Sequence, residues 1–79
     1  MSRYYFHVRD GAGFLADGEG RELRDLEHAR VVAIEGARSL MSAEMKKGAL
    51  DLTGSIEIVD GTGAVLMVVA FRDAMDIRG

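Results

Sequence analysis

The chain is 79 residues long, 48% hydrophobic and 29% charged, with 10 basic and 13 acidic side chains giving a formal net charge of −3. That mixture excludes a disordered or fibrous polypeptide, and the acidic balance removes the positive field that would draw a nucleic-acid backbone. Cysteine is absent, which excludes disulfides, thiolate metal sites and a cysteine nucleophile.

A domain of this size buries only about 60% of the surface its unfolded chain exposes. A partner surface is therefore a natural supplement to a thin core. Arg3 and His7 interrupt the N-terminus before a secretion signal can accumulate, and the longest apolar run, Ala64 to Phe71, is far short of the roughly 20 residues that span a bilayer. A cytoplasmic protein without membrane contact is expected.

Residues 3–9 alternate, with Tyr4, Phe6 and Val8 on one side and Tyr5 and His7 on the other, and predict a strand that ends at Asp10-Gly11. After the turn, Phe14-Leu15-Ala16 predicts a short hairpin partner over 13–16. Asp17-Gly18-Glu19-Gly20 breaks it, and Arg21 to Arg24 runs extended toward a helix.

Asp25 is placed to cap that helix, and Glu27 in its first turn complements the dipole. From Leu26 the period changes to 3.6. Leu26, Ala29, Ala33, Ala37 and Leu40 form one stripe flanked by Ile34 and Met41, while His28, Glu35, Ser39, Ser42 and Lys46 point away. Lys46 and Lys47 suit the negative pole, and Gly48 supplies a left-handed residue beyond it, giving a helix over about 26–47. Gly36 costs the helix close to 1 kcal/mol relative to alanine, and is read as a point of close backbone packing.

Two strands follow, over 55–60 and 64–71, joined by the turn Asp60-Gly61-Thr62-Gly63. With Val59 opposite Ala64, the inner face carries Ile56, Ile58, Val65, Met67, Val69 and Phe71. The outer face then carries Glu57, Val59, Leu66, Val68 and Ala70, too apolar a set to face water. Asp73 to Gly79 reads as a short tail. The expected fold is a single α+β domain: a small antiparallel β-sheet with one long helix packed on one face, in the order β-β-α-β-β.

The succession Arg3-Tyr4-Tyr5-Phe6-His7-Val8-Arg9-Asp10-Gly11, then Asp17 with Glu19-Gly20, Glu22-Leu23 and Asp25-Leu26-Glu27 entering an Ala/Arg-rich helix, resembles the bacterial domain of unknown function 6894. The resemblance extends through Ile56-Glu57-Ile58, the Asp60-Gly61 turn and Phe71. It implies the same β-β-α-β-β arrangement and no known activity, cofactor or catalytic residue. It also implies prolines at the positions of Ser2, Arg24 and Ala70. This chain has none, so no proline guards its strand edges.

No residue pattern carries catalysis, a metal or a cofactor. His7 and His28 share no metal-ligand spacing, and a protonated His28 in the first helical turn would oppose the dipole. Asp17-Gly18-Glu19-Gly20 fails as a calcium loop because Arg21, Glu22 and His28 fall where ligands and a glycine are required, and it is read as a solvated turn. Neither glycine-rich turn leads from a strand into a helix N-terminus, as a phosphate loop does, and no serine lies in a nucleophile elbow. Tyr4, Tyr5 and Phe6 between Arg3 and Arg9 are one aromatic and basic cluster, but alternation leaves Tyr5 as its single exposed ring, so nucleic acid is an unlikely partner.

The expected function is a non-enzymatic interaction module that associates with itself or with a partner protein. The expected interface is Tyr5, His7, Val59, Leu66, Val68 and Ala70, with Tyr5 as aromatic anchor. The alternatives are a regulatory module like the HicB-type antitoxins, by topological analogy alone, or a weak nucleic-acid binder. An enzyme using His7 or His28 is the least favoured class.

Overall fold

A computed structural model describes residues 1–11 and 13–75. Strand β1 (Ser2–Asp10) is the spine of an antiparallel sheet. On one side it pairs with β4 (Ser55–Val59), which pairs in turn with β5 (Val65–Ala70). On its other side β1 has two short partners end to end. Its last residues pair with β2 (Gly13–Leu15) and its first with β3 (Arg21–Leu23). The helix α1 (Leu26–Lys46) lies between β3 and β4 in the chain and covers one face.

The α+β architecture is the expected one, with β3 as an addition. Three residues of mostly polar sequence offer no alternation to read, and the pairing of β3 comes from β1, which has free backbone groups opposite it. The helix begins as its sequence dictates. Asp25 is extended, and its carboxylate accepts the His28 N–H at 2.9 Å. At the other end Gly48, at φ +88°, donates its N–H to the Met45 carbonyl at 2.9 Å.

The stripe that α1 buries is Ala29, Ala33, Ala37 and Met41. Small side chains let the helix backbone approach β4, β5 and a 3-10 turn, Phe71–Ala74, which all pack beneath it. Leu40, expected on the stripe, lies at its exposed margin, because the core direction rotates toward β5 and Met41. Phe71, Met41 and Ile58 are the largest fully buried side chains. The expected tail is instead structural as far as Met75: Ala74 is buried, and its carbonyl accepts Arg38 Nε at 2.6 Å. The remainder of the expected tail, 76–79, lies outside the described residues.

The β4–β5 turn departs from the expected register. Asp60 Oδ1 accepts the Thr62 N–H at 2.9 Å and the Ala64 N–H at 3.1 Å, and the Asp60 N–H reaches the Ala64 carbonyl. Val59 then lies opposite Val65, and a bulge separates this pair from Ile58 opposite Met67. The extra residue takes Val65 out of the core: it is 55% exposed, where strict alternation placed it inside.

Gly36 also has a different role from the one read in the sequence. A Cβ there would meet only Ile56 Cδ1, at 3.6 Å, an ordinary contact. The truly crowded glycine is Gly54, where a Cβ would stand 2.5 Å from Phe71 Cε2 and 3.1 Å from the Arg9 carbonyl oxygen. Gly54→Ala should destabilise the domain by about 1–3 kcal/mol through overpacking, seen in thermal unfolding as a Tm lower by roughly 4–8 °C per kcal/mol. An unchanged Tm would show that Phe71 has room to move.

Candidate functional site

Because Tyr4, Ile56, Ile58 and Val69 face the helix, the registers send Tyr5, His7, Glu57, Val59, Val68 and Ala70 to the opposite, outer face. Arg3 and Arg9 join them from β1, and Phe14 lies opposite Arg9 on β2. This face divides into two halves of different chemistry.

The β1 half is tied to its own chain. Arg9 Nε pairs with Glu57 Oε2 at 3.1 Å while its guanidinium lies 4.6 Å over the Phe14 ring, and His7 meets that ring edge-on at 5.5 Å. Arg3 Nη1 donates to the Glu19 carbonyl at 2.8 Å. The Tyr5 ring lies against the Gly20 backbone, whose φ is +69°, so closely that a Cβ would come within 2.8 Å. His7 Nδ1 accepts the Asp17 backbone N–H at 2.9 Å, which leaves Nε2 as the protonated nitrogen of the neutral ring. The bond comes from the Asp17 backbone and not its carboxylate, so the two side chains do not form a general-base dyad.

The Asp17 carboxylate is turned to the sheet edge. Midway along β1, between β2 and β3, the Phe6 N–H has no strand partner and donates to Asp17 Oδ2 at 3.2 Å. Asp17 Oδ1 accepts the N–H groups of Glu19 and Gly20, each at 3.1 Å. The stretch expected to be a solvated turn is thus a plug in a gap of the sheet. Partial burial raises the carboxyl pKa, but the Gly20, Phe6 and Glu19 N–H donors outweigh it and hold Asp17 below its ordinary value.

The β5 half is apolar and accessible. Leu66 is 41% and Val68 56% exposed, Ala70 is half-buried, and the bulge adds Val65. Val59 lies on this face but is only 4% exposed, so its own chain already covers it. Of the six residues expected to form an interface, Leu66, Val68 and Ala70 remain as accessible apolar surface, while Tyr5 and His7 are engaged locally. Among the described residues β5 pairs on one side only. The Phe71 N–H donates to the Gly54 carbonyl at 2.9 Å, so alternation along β5 turns the backbone groups of Val69 and Met67 toward β4. Those of Val68 and Ala70 face the open edge.

His28 lies on the first turn of α1, and its Nδ1 is enclosed without a hydrogen-bond partner. Among the described residues no three histidine or acidic side chains converge as a metal site needs, and no helix is long and apolar enough to cross a membrane. On the helix side of the sheet, a groove of about 380 Å³ runs between α1 and β1, lined by Phe6, Val8, Val32, Leu40 and Ile56. The sequence could not reveal it, since Phe6, Val8, Leu40 and Ile56 read as ordinary core.

Asp17→Ala strands three N–H donors and should cost about 1–3 kcal/mol. Because the folded pKa of Asp17 lies below 3.8, its stabilisation is complete above the unfolded value and fades as pH falls through the folded one. Urea midpoints measured from neutral pH down to about pH 3 should therefore fall less steeply in Asp17→Asn than in the native chain. Parallel acid limbs would show that the plug contributes nothing.

No curated protein and no solved structure matches the chain. The family comparison does give a match, over residues 3–72, to a domain of unknown function, DUF6894. It takes in β1 from Arg3, the other four strands, the helix and the start of the 3-10 turn, and the chain is a member of that family.

Proposed function

We propose that this domain is a non-enzymatic self-association module in which β5 pairs antiparallel with β5 of a second copy. The observation that carries the reading is the open edge of Val65–Ala70, a six-residue strand with no charge, proline or glycine. Unpaired edges of this kind are templates for strand addition, and soluble proteins normally blunt them with lysine, proline or a covering element.

The strand suits a two-fold partner. Val68 directs its N–H and C=O to the edge, so a two-fold axis through Val68 pairs it with Val68 of the partner subunit. The same register sets Leu66 opposite Ala70 on the outer face and Met67 opposite Val69 on the inner one. Every cross-strand pair is apolar and none is repulsive. Apolar surface on both faces of the strand is then shared across one continuous sheet.

Size-exclusion chromatography with light scattering should give a dimer at tens of micromolar, and Val68→Lys should give a monomer. Val68 is exposed in the single chain, so the lysine should alter the stability of the isolated fold by no more than about 0.5 kcal/mol. A strict monomer without binding of a surface-hydrophobic dye, or a dimer that survives Val68→Lys, would rule the module out.

A further inference from the structure

The groove between α1 and β1 has properties that core packing does not account for. Its floor is Ile56, and its walls are Phe6 and Val8 from the sheet and Val32, Gly36 and Leu40 from the helix. Its volume, about 380 Å³, is comparable to that of other recesses on this surface, and what sets it apart is its mainly aliphatic and aromatic lining. Gly36 is the most telling wall residue. An alanine methyl would make only an ordinary contact with Ile56, so the glycine weakens the helix without permitting a closer approach. What it preserves is the width of the groove.

The groove is also long. It shares Val8 and Leu40 with a second recess that reaches Leu15, which is 70% exposed beneath β2. At its other end is Arg21, opposite Tyr4 in the β1–β3 ladder. From Tyr4 to Val8 the strand advances about 14 Å at roughly 3.4 Å per residue, the length of a medium-chain acyl group. The Arg21 guanidinium makes no hydrogen bond or ion pair with any described residue. Asp17 borders the groove as well, but its oxygens accept the Phe6, Glu19 and Gly20 N–H groups. Asp17 stays ionised, but its oxygens are turned onto those N–H groups, so the charged group with unused hydrogen-bond capacity is the guanidinium, whose planar fork matches a carboxylate.

We infer that this groove binds a linear aliphatic carboxylate, its hydrocarbon chain along Phe6, Val8 and Ile56 and its carboxylate on Arg21. The groove is lined from β1, β3, β4 and α1, with no residue of β5 in its lining, and does not depend on self-association. Decanoate, kept below its micelle concentration, should give saturable NMR shifts of the Val8, Val32, Gly36 and Ile56 amides, in the native chain and equally in Val68→Lys. Decyltrimethylammonium should bind about tenfold more weakly, and Arg21→Gln should weaken decanoate by a similar factor, as loss of one charge-assisted contact implies. Gly36→Ala should raise Tm by several degrees yet weaken decanoate, and Gly36→Leu should abolish binding; this pairing of higher stability with lower affinity separates a filled groove from a damaged fold. Shifts confined to β5, equal affinity for the cationic amphiphile, or unchanged affinity in a folded Gly36→Leu variant would each overturn the assignment.

Discussion

One helix about 10 Å across cannot cover a sheet four strand positions wide at roughly 4.8 Å per strand. With one α-helix among the described residues, that mismatch decides where apolar surface is sheltered and where it is left. The alanine stripe fixes the choice: Ala29, Ala33 and Ala37 bring α1 down onto β4, β5 and the 3-10 turn, and Phe71 and Ile58 close the core beneath it. The strip of inner face along β1 is then only half roofed, which makes the groove. The outer face has no covering element among the described residues and depends on its own side chains, which suffice on β1 and not on β5.

Aspartate does much of the work of fixing the connections. Asp17 fills the gap between β2 and β3, Asp25 caps the helix, Asp51 holds the Gly11 and Thr53 N–H groups, and Asp60 organises the β4–β5 turn. All four have pKa values held low. For Asp25 the chief cause is the His28 N–H, for Asp51 the Thr53 hydroxyl and for Asp60 the Thr62 hydroxyl. For Asp17 the N–H donors must first overcome its partial burial. A chain without proline or cysteine thus pins its turns with ionised carboxylates, a device that needs the carboxylate to stay charged.

Much of this fold was legible from periodicity. The alternation in β1, the switch to 3.6 at Leu26, the Asp25 cap and the left-handed Gly48 each have a local cause and lie where that cause puts them. What escaped has causes that are not local. β3 exists because β1 is long enough to accept a second partner. Val65 is exposed because the Asp60 turn inserts a bulge, and Val59 is buried although it lies on the outer face. The candidate interface was half legible. The apolarity of Leu66 and Val68 shows in the sequence, but the local engagement of Tyr5 by Gly20 and of His7 by Asp17 depends on residues brought together only by the sheet. Gly36 and Gly54 make the same point, since neither position in the sequence says which of the two is crowded.

The two borders of the sheet are unlike. Beyond β1 the border is broken into two three-residue pieces with the Asp17 plug between them, too short and too interrupted to receive another strand. The β5 border is continuous and uncharged. Among the described residues, growth by edge addition therefore has a single starting point, and joining two such points consumes both. The broken border acts as a terminator, so that the association proposed for β5 closes as a pair and cannot propagate into a fibre.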